Sequence, residues 1–321
     1  MEPTVLVTAI GTAASTAIIS QLKAAGGCYI IGGDIFKKNQ VATSKDVNEF
    51  YTFPSAVRDL DTYIDFAIAF CKEHNVNYYF ATIDEEVANL SKNREKFEAI
   101  GVTLCIPNHS LVMTCHYKDT FSDWILNNIP EISIKRFRGF DEITDMDFPL
   151  FMKPIEGRAS LGCRKIESRE TLEELKAEEL NVADFVIQQY VEGEIITVDL
   201  IRNAKNGHSH QVQRVEELRN PSGCGTAVMI IDDAKLTEIC DQLMKKLDLN
   251  GVVNAEFFRN GDDYRIIEIN PRFSAGTSFS YMAGCDMASA ALDIASGRDF
   301  VLSELAIGMH LAKRYETYRL D

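Results

Sequence analysis

The chain has 321 residues, of which 46% are hydrophobic, so it can bury a sizeable core and is expected to form two or three domains. Its 48 acidic and 33 basic residues give a net charge of −15, which argues against nucleic acid or an anionic membrane surface as the main partner. The sequence has no basic leader and no apolar run long enough to span a bilayer. Its eight scattered cysteines lack metal-ligand spacing, so a cytoplasmic protein with reduced thiols is expected.

The first hundred residues alternate short apolar strands with helical segments. Strands are predicted at 5–8, 29–31, 76–81 and 102–106, and helices at 16–25, 63–73 and 85–98. This alternation predicts a parallel sheet with helical crossovers, an α/β domain of Rossmann-like form. The Gly-x-Gly-x-x-Gly spacing of a dinucleotide site is missing, so Asp34, at the end of the second strand, is interpreted as a structural acid.

The remainder of the chain has mixed α+β character. Strands are predicted at 148–154, 163–166, 185–191, 195–201 and 211–216, and helices at 118–127, from 168, at 234–246 and at 282–296. A β-hairpin is predicted over 254–272, because aromatic and β-branched flanks enclose a polar turn.

This hairpin carries the strongest chemical signal. Glu268 and Asn270 share one face of a strand, because side chains alternate along it. Both lie in an apolar run that should be largely buried, and a buried carboxylate needs a partner or a metal. With Glu256 on the other strand, three oxygen ligands would suit Mg²⁺. The alternative is a solvated polar face on an ordinary hairpin.

Whether Glu256 joins that site depends on the hairpin register. A two-residue turn at Asn260-Gly261 would pair Arg259 with Asp262. With regular pairing, Glu256 would then lie on the face away from Glu268. A loop of three or five residues would place the two glutamates side by side. We therefore predict a hairpin loop with an odd number of residues.

The order of these features resembles the ATP-grasp superfamily. Lys118 and Lys153, a small-residue loop, an apolar linker strand and a Glu…Glu-x-Asn hairpin follow one another between Lys118 and Gly297. The residues at 157–162 and 270–276 most resemble the carbamoyl-phosphate-synthetase-like branch of carboxylate–amine ligases. No single motif carries the resemblance.

The resemblance implies a domain plan. A Rossmann-like domain at 1–110 would precede an ATP-grasp module at 111–321 that consists of two α+β subdomains. Within the module, a lid subdomain would cover about 116–190 and a catalytic core about 191–321.

The resemblance also implies roles for individual residues. Lys118 and Lys153 would contact the ATP phosphates as flexible point charges, and Lys153 and Arg272 would be catalytic. The other nucleotide-site residues would be Gly157, Ser160 and Gly162 over the triphosphate, Gln188, Gln189, Tyr190 and Val191 at the adenine, and Glu194 at the ribose. Glu256, Glu268 and Asn270 would hold Mg²⁺, with Mn²⁺ as an alternative ion. The substrate would be bound by Arg214, Arg219, Gly223 and Arg272. An ordinary hairpin turn at 157–162 and a charged edge strand at 213–225 are the alternatives.

The function implied is an ATP-dependent ligase that joins a small-molecule carboxylate to an amine or to ammonia through an acyl phosphate. A kinase on the same fold and a non-catalytic nucleotide-binding protein are the competing hypotheses. The sequence does not identify the substrates. A homodimer is common among proteins of this type.

Overall fold

The first part of the chain folds into a parallel sheet with helical crossovers. In this computed structural model, which describes residues 2–157, 161–178 and 180–320, its strands are β1 (Thr4–Thr8), β2 (Tyr29–Asp34), β3 (Glu49–Thr52), β4 (Tyr78–Phe80) and β5 (Thr103–Leu104), and its helices are α1 (Ala13–Ala25), α2 (Leu60–Glu73), α3 (Asp84–Lys92) and α4 (Arg94–Glu98). The strand order is β3-β2-β1-β4-β5, and all neighbours pair in parallel. The order reverses between β1 and β4, which creates a topological switch point there.

Two local features differ from the predicted pattern. The helix expected at 85–98 is divided at Asn93 into α3 and α4, and the Asn93 backbone N–H closes the end of α3. Strand β3 was not predicted. It is a short edge strand without fully buried side chains, so it lacks a continuous apolar signature.

The middle of the chain forms a small antiparallel sheet. Two helices precede it, α5 (His109–His116) and α6 (Lys118–Asn128), and the sheet region contains β6 (Arg136–Phe137), β7 (Leu150–Pro154), β8 (Arg164–Ile166), α7 (Arg169–Ala177) and β9 (Phe185–Gln189). The strand order is β6-β9-β7-β8. Leu150 and Met152 pack with Ile187 and Leu172 in a core that belongs to this sheet and α7.

The rest of the chain forms a large antiparallel sheet. Its elements are β10 (Glu194–Arg202), β11 (Ser209–Arg219), β12 (Gly225–Ile231), α8 (Ala234–Lys246), β13 (Gly251–Asn260), β14 (Asp263–Asn270), α9 (Thr277–Met282), α10 (Met287–Ala295) and β15 (His310–Ala312). The strand order is β14-β13-β10-β11-β12-β15. One parallel sheet followed by two antiparallel sheets with helices confirms the predicted fold class.

A shared core connects the first sheet to the large sheet. Val5 and Ile18 from the first part of the chain belong to the same buried cluster as Ile201 and Val252 from the large sheet. Helix α5 also joins two cores. Its Val112 packs in the cluster behind the first sheet, whereas Leu111 packs against the helices and strands of the large sheet. The proposed domain boundary at residue 110 lies within this helix. Among the described residues, no helix has the length and apolarity needed to cross a membrane.

The hairpin β13–β14 reaches its register by a route that the sequence analysis did not anticipate. Asn260 pairs with Asp263, so the loop has two residues, Gly261 and Asp262, and the prediction of an odd loop was wrong. Pairing shifts by one residue beyond Phe257, where Ile267 is the extra residue of a β-bulge. The bulge brings Glu256 opposite Glu268.

Candidate active site

A cleft of about 530 Å³ lies where the small sheet faces the large sheet. Helix α6 and strands β7 and β9 contribute from one side, β11 and the hairpin β13–β14 from the other, and the start of α3 closes one end. The predicted site residues that line it are Lys118, Lys153, Gly157, Gln188, Tyr190, Val191, Arg214, Arg219, Gly223, Glu256, Glu268, Asn270 and Arg272.

Strand pairing explains why polar side chains from distant segments meet here. Residues two apart along neighbouring strands project from one face of the large sheet. Two such rows cross the sheet, one through Glu268, Glu256, Thr197 and Arg214, and the other through Asn270, Asn254 and Asp199. The same face therefore carries carboxylates, amides and a guanidinium.

The carboxylate pair is the centre of the cleft. Glu256 and Glu268 lie opposite each other on neighbouring strands, and Asn270 follows two residues later on the same face. The Asn270 side-chain amide donates to Glu268 Oε1 over 3.4 Å, and its Oδ1 accepts from Arg272 Nη2 at 3.2 Å. Two carboxylates and an amide oxygen form a donor set that suits a hard divalent cation completed by phosphates.

The surroundings of Glu256 disfavour its charged form. Burial, reinforced by repulsion from Glu268, raises the pKa of Glu256 to about 7. Arg219 opposes this shift, because its Nη2 donates to Glu256 Oε2 at 2.7 Å. A cation bound between the carboxylates would remove the repulsion that raises this pKa. In the described part of the chain, no three His, Cys, Asp or Glu side chains converge as a metal centre, so any ion here relies on Asn270 and on its ligand's oxygens.

Lys153 points at the carboxylate pair from the small sheet. Its side chain is only 6% exposed, and Nζ donates to the carbonyl of the bulged residue Ile267 over 3.4 Å. Burial lowers the pKa of Lys153, and the charge of Glu268 offsets part of that effect. An anion beside Nζ would supply the counter-charge that a buried ammonium requires.

Lys118 holds the loop that follows β7. Its backbone N–H donates to Ile155 O at 3.2 Å, and its Nζ donates to Gly157 O at 2.8 Å. Gly157 has a φ of 133°, a conformation that favours glycine. Lys118 therefore lines the cleft, but its ammonium group is bonded to the backbone of the loop.

The predicted adenine segment divides between the two sides of β9. Gln188 is buried and lines the cleft, as do Tyr190 and Val191. Gln189 is exposed on the opposite side of the strand and does not line the cleft, because neighbouring side chains alternate.

Two further predicted residues, Glu194 and Gly162, do not line the cleft. Glu194 was expected at the ribose, but its carboxylate accepts from Arg259 Nη2 at 2.7 Å and does not line the cleft. Gly162 also lies away from the lining, with a φ of 75°. Ser160 lies outside the described residues.

Arg214 is locked into a buried ion pair. Its side chain is 1% exposed, and Nη1 and Nη2 donate to the two Asp199 oxygens at 2.7 and 3.3 Å. Ser274 and Ser280 accept from the same guanidinium at 3.1 and 3.3 Å. Although burial acts against the charged form, the carboxylate of Asp199, together with Glu216 and Glu256, raises the pKa of Arg214. Because these partners occupy its guanidinium, Arg214 stabilises the wall of the cleft more than it is available to bind a substrate.

Next to Arg214 lies a carboxylate that the sequence analysis did not single out. Glu216 Oε1 is 3.7 Å from Arg214 Nε, and its Oε2 is 4.0 Å from Arg219 Nε. These two Nε atoms and Glu216 Oε2 are buried and have no hydrogen-bond partner among the described residues. Gly225 makes room for Glu216, since a Cβ there would lie 1.8 Å from Oε2. Gly223 borders the same corner at Arg219 Nη2.

Arg272 is held by the first part of the chain. Its Nε and Nη2 donate to the two Asp84 oxygens at 2.7 and 3.1 Å, a bidentate pair. Burial acts to lower the pKa of Arg272, but Asp84, together with Glu268 and Glu256, raises it. Asp84 begins α3 just after β4, and acids at the carboxyl ends of parallel strands were a signal that could have identified it.

Two family models and several curated proteins are similar to parts of this chain. A family model described as "ATP-grasp in the biosynthetic pathway with Ter operon" matches residues 181–312, and one described as "PylC-like, N-terminal domain" matches residues 5–105. The carbamoyl phosphate synthase large chain of Clostridium acetobutylicum is 22% identical over 249 residues, which are 73% of this chain and 21% of that protein. A 3-methyl-D-ornithine–L-lysine ligase of Methanosarcina acetivorans is 25% identical over 201 residues, 60% of this chain and 53% of that protein. The chain thus matches about half or less of the length of these curated relatives.

Solved structures share the fold at low sequence identity. The biotin carboxylase domain of the Hydrogenobacter thermophilus 2-oxoglutarate carboxylase, in complex with MgADP and bicarbonate, has a TM-score of 0.75 at 15% identity. That match covers 96% of this chain and 73% of the other. An L-amino acid ligase from Bacillus licheniformis has a TM-score of 0.69 at 13% identity, with 94% and 75% covered.

The order of the sheets and the cleft between them agree with the ATP-grasp fold of these solved structures, and residues 181–312 match an ATP-grasp family model. The curated proteins it resembles, a carbamoyl phosphate synthase and a ligase, support the expected likeness to the carbamoyl-phosphate-synthetase-like branch.

Proposed function

We propose that this protein is an ATP-dependent ligase that joins a small-molecule carboxylate to an amine or to ammonia. The observation that carries this proposal is the convergence of the Glu256–Glu268 pair, Asn270 and the buried Lys153 on one cleft. Negative and positive groups are both required when an anionic nucleotide and a divalent cation bind together.

The nucleotide would occupy the space between the two antiparallel sheets. Its phosphates would meet Lys153. They would also lie near the loop that Lys118 holds through Gly157 O. Gln188, Tyr190 and Val191 would contact the base, because they line the cleft at the end of β9. Gln189 and Glu194 have no place in this arrangement.

Glu256, Glu268 and Asn270 would hold Mg²⁺. When bound, the ion would offset the charge of the phosphate oxygens. Binding would require Glu256 to be ionised and Arg219 to share or release its 2.7 Å hydrogen bond. Arg219 would then be available to the second anion in the cleft, the substrate carboxylate.

The reaction follows from bringing two anions together. A carboxylate oxygen attacks the γ-phosphorus of ATP, ADP leaves, and an acyl phosphate forms. The amine then attacks the carbonyl carbon and expels inorganic phosphate. Arg272, oriented by Asp84, would hold the carboxylate or the transferring phosphoryl group through its planar fork.

The proposal is tested by ADP release from the full chain with Mg²⁺, screened over carboxylates crossed with amines. Amino acids come first, because two of the similar proteins are ligases of amino acids. We expect ADP and inorganic phosphate to be released in equal amounts with the correct pair of substrates. ATP turnover that yields a phosphorylated alcohol and no inorganic phosphate would instead identify a kinase.

A matched pair of variants assigns the activity to the cleft. Glu268→Gln keeps the shape of the side chain but removes half of the negative charge of the carboxylate pair. Loss of the ion's stabilisation of the transition state should lower the rate about a thousandfold or more. Glu238→Gln makes the same charge change at an exposed position of α8 and should leave the rate unchanged. Wild-type turnover by Glu268→Gln at limiting Mg²⁺ would contradict the metal assignment.

A further inference from the structure

A second cavity, separate from the ATP-grasp cleft, lies between the first part of the chain and residues 314–318 near its other end. Its volume is about 740 Å³, within the range of small-molecule sites. It opens at the carboxyl ends of β1 and β2, and Ile83 and Glu86 at the start of α3 form part of its wall. Ligands of open α/β sheets bind at this edge, next to the switch point between β1 and β4.

The most informative group in this cavity is Glu86. Its side chain is 1% exposed, and Thr8 Oγ1 and Tyr79 Oη each donate to Oε1 at 2.7 Å. Tyr63 Oη donates to the same oxygen. These three neutral hydroxyl groups all reach Oε1, and the residue also lines the cavity. A carboxylate buried among neutral donors is costly as an anion and favours a positively charged partner supplied by a ligand.

A second carboxylate faces the same space. Asp34 is buried, and its oxygens accept from the backbone N–H groups of Gly11 and Phe36 at 2.8 and 3.1 Å. Each oxygen retains a lone pair. These contacts support the interpretation of Asp34 as a structural acid. Because Asp34 also lines the cavity, its negative charge would attract a cation there.

The rest of the lining is apolar enough to accept a hydrocarbon group. Phe53 is buried beside the cavity, while Ile35, Phe36 and Val57 are exposed at its edge. Large apolar side chains that are about half exposed and gathered around one opening suit an organic ligand.

The charge of the lining distinguishes between two ligand classes that such a site could take, a nucleotide and an organic cation. A nucleotide would place its phosphate at the N-terminus of α1, but Thr12 already caps that end by accepting from Ser15 N at 3.2 Å. The charged groups that line the cavity among the described residues are Asp34, Asp46, Glu86 and Glu316 against Arg314. In the described part of the chain, Asp46 is paired with Lys23 and Glu316 with Arg314, whereas the hydrogen bonds of Asp34 and Glu86 come from neutral donors. This balance repels phosphate and attracts a cation.

We propose that the second cavity binds an organic ammonium ion, with its ammonium group at the Glu86 carboxylate and its hydrocarbon part against Phe53, Phe36 and Val57. This site is independent of the ligase cleft. It would bind its ligand whether or not ATP and Mg²⁺ are present.

The test uses n-butylammonium as the probe, with butyrate and n-butanol as analogues of opposite and zero charge. Binding to the full chain is followed by backbone amide shifts at constant ionic strength, in the wild type and in Glu268→Gln. We expect butylammonium to shift the amides of Gly11 and Phe36 equally in both proteins. Butyrate should shift neither amide, and n-butanol should bind at least about tenfold more weakly than butylammonium.

Variants assign the binding to Glu86. Glu86→Gln should weaken butylammonium binding about tenfold or more, because a charge-assisted hydrogen bond is lost. Glu95→Gln, an equal charge change at an exposed position on α4, should bind like the wild type. If Glu86→Gln does not fold, Val57→Lys at the exposed edge provides the same test by charge repulsion.

Three results would overturn the proposal. Equal binding of n-butanol and butylammonium would identify an apolar cavity without ammonium recognition. Butylammonium shifts confined to the ligase cleft would remove the second site. Stronger shifts of Gly11 and Phe36 with adenosine monophosphate than with butylammonium would identify a nucleotide site instead.

Discussion

The buried ion pair between Asp199 and Arg214 should stabilise the protein strongly, and Asp199→Asn tests this. The Asp199 oxygens accept from Arg214 at 2.7 and 3.3 Å, from Ser280 Oγ at 2.6 Å and from Asn254 Nδ2 at 3.0 Å. An asparagine keeps the size of the side chain but leaves the Arg214 charge buried, with Glu216 at 3.7 Å and the more indirect charge of Glu256 as the remaining compensation.

The expected magnitude follows from that geometry. Breaking a buried ion pair by removing one partner costs about 3–5 kcal/mol, because the remaining charge is desolvated and uncompensated. Glu216 supplies partial compensation, so we expect Asp199→Asn to lower the free energy of unfolding by about 3 kcal/mol. Urea denaturation without nucleotide measures it, provided that the slope with urea is unchanged.

A double-mutant cycle provides the control. Arg214→Met combined with Asp199→Asn removes both charges and should recover much of the stability lost in Asp199→Asn alone. A loss below about 1 kcal/mol for Asp199→Asn, the value of an exposed pair, would refute the reasoning and free Arg214 for a direct role with substrate.

Three further predictions concern single positions. Gly225→Ala should lower the free energy of unfolding by about 1–3 kcal/mol in urea denaturation, because its Cβ would lie 1.8 Å from Glu216 Oε2; unchanged stability would show that Glu216 moves freely. Lys153→Met should lower the ATP turnover rate at least about a hundredfold while unfolding at the same or a higher urea concentration, because it removes a buried charge; equal turnover would exclude Lys153 from the site. Burial raises the pKa of Glu86 above its ordinary value of 4.5, so its stabilising contribution is complete below that value and is lost as pH rises through the folded-state pKa. The free energy of unfolding of Glu86→Gln, measured relative to the wild type by urea denaturation, should therefore be higher at pH 7.5 than at pH 5. The opposite trend would contradict the sign of the shift.

Local patterns predicted the elements whose ends are set by nearby residues. Helix α8 was predicted at its observed bounds, since Asp233 caps it and its apolar residues repeat at helical spacing. The helix predicted at 282–296 begins instead at Met287, because Gly284 adopts a φ of 108° and Asp286 caps a new start. Periodicity alone does not distinguish a continuous helix from two segments joined by a tight turn.

The hairpin register could not be predicted from its turn residues. The bulge at Ile267 is far from the loop, and the carbonyl of that residue accepts from Lys153, which belongs to another sheet. A two-residue loop and a paired Glu256–Glu268 are compatible only through this bulge. Tertiary contacts, and not the turn sequence, therefore position the carboxylate pair.

The partners of the predicted arginines depend on the fold in the same way. Asp84 is 188 residues from Arg272 in sequence, and the first sheet must pack on the large sheet before they can meet. Asp199 and Arg214 become diagonal neighbours through the β10–β11 register, in which Thr197 pairs with Arg214. Motifs predicted which residue types gather in the cleft, but strand register and domain packing decide what each one contacts.

Transfer of a carboxylate oxygen to phosphate tests the proposed ligase most directly. The carboxylate found in the ADP-release screen is labelled with ¹⁸O and incubated with ATP, Mg²⁺, the amine and the full chain, and the inorganic phosphate is analysed by mass spectrometry. Attack of the carboxylate on the γ-phosphorus followed by expulsion of phosphate predicts one ¹⁸O atom in each phosphate released from doubly labelled substrate. Arg272→Lys should slow this transfer much more than it weakens ATP binding, because lysine cannot reproduce the two-pronged contact. Unlabelled phosphate formed together with the amide would contradict an acyl phosphate route.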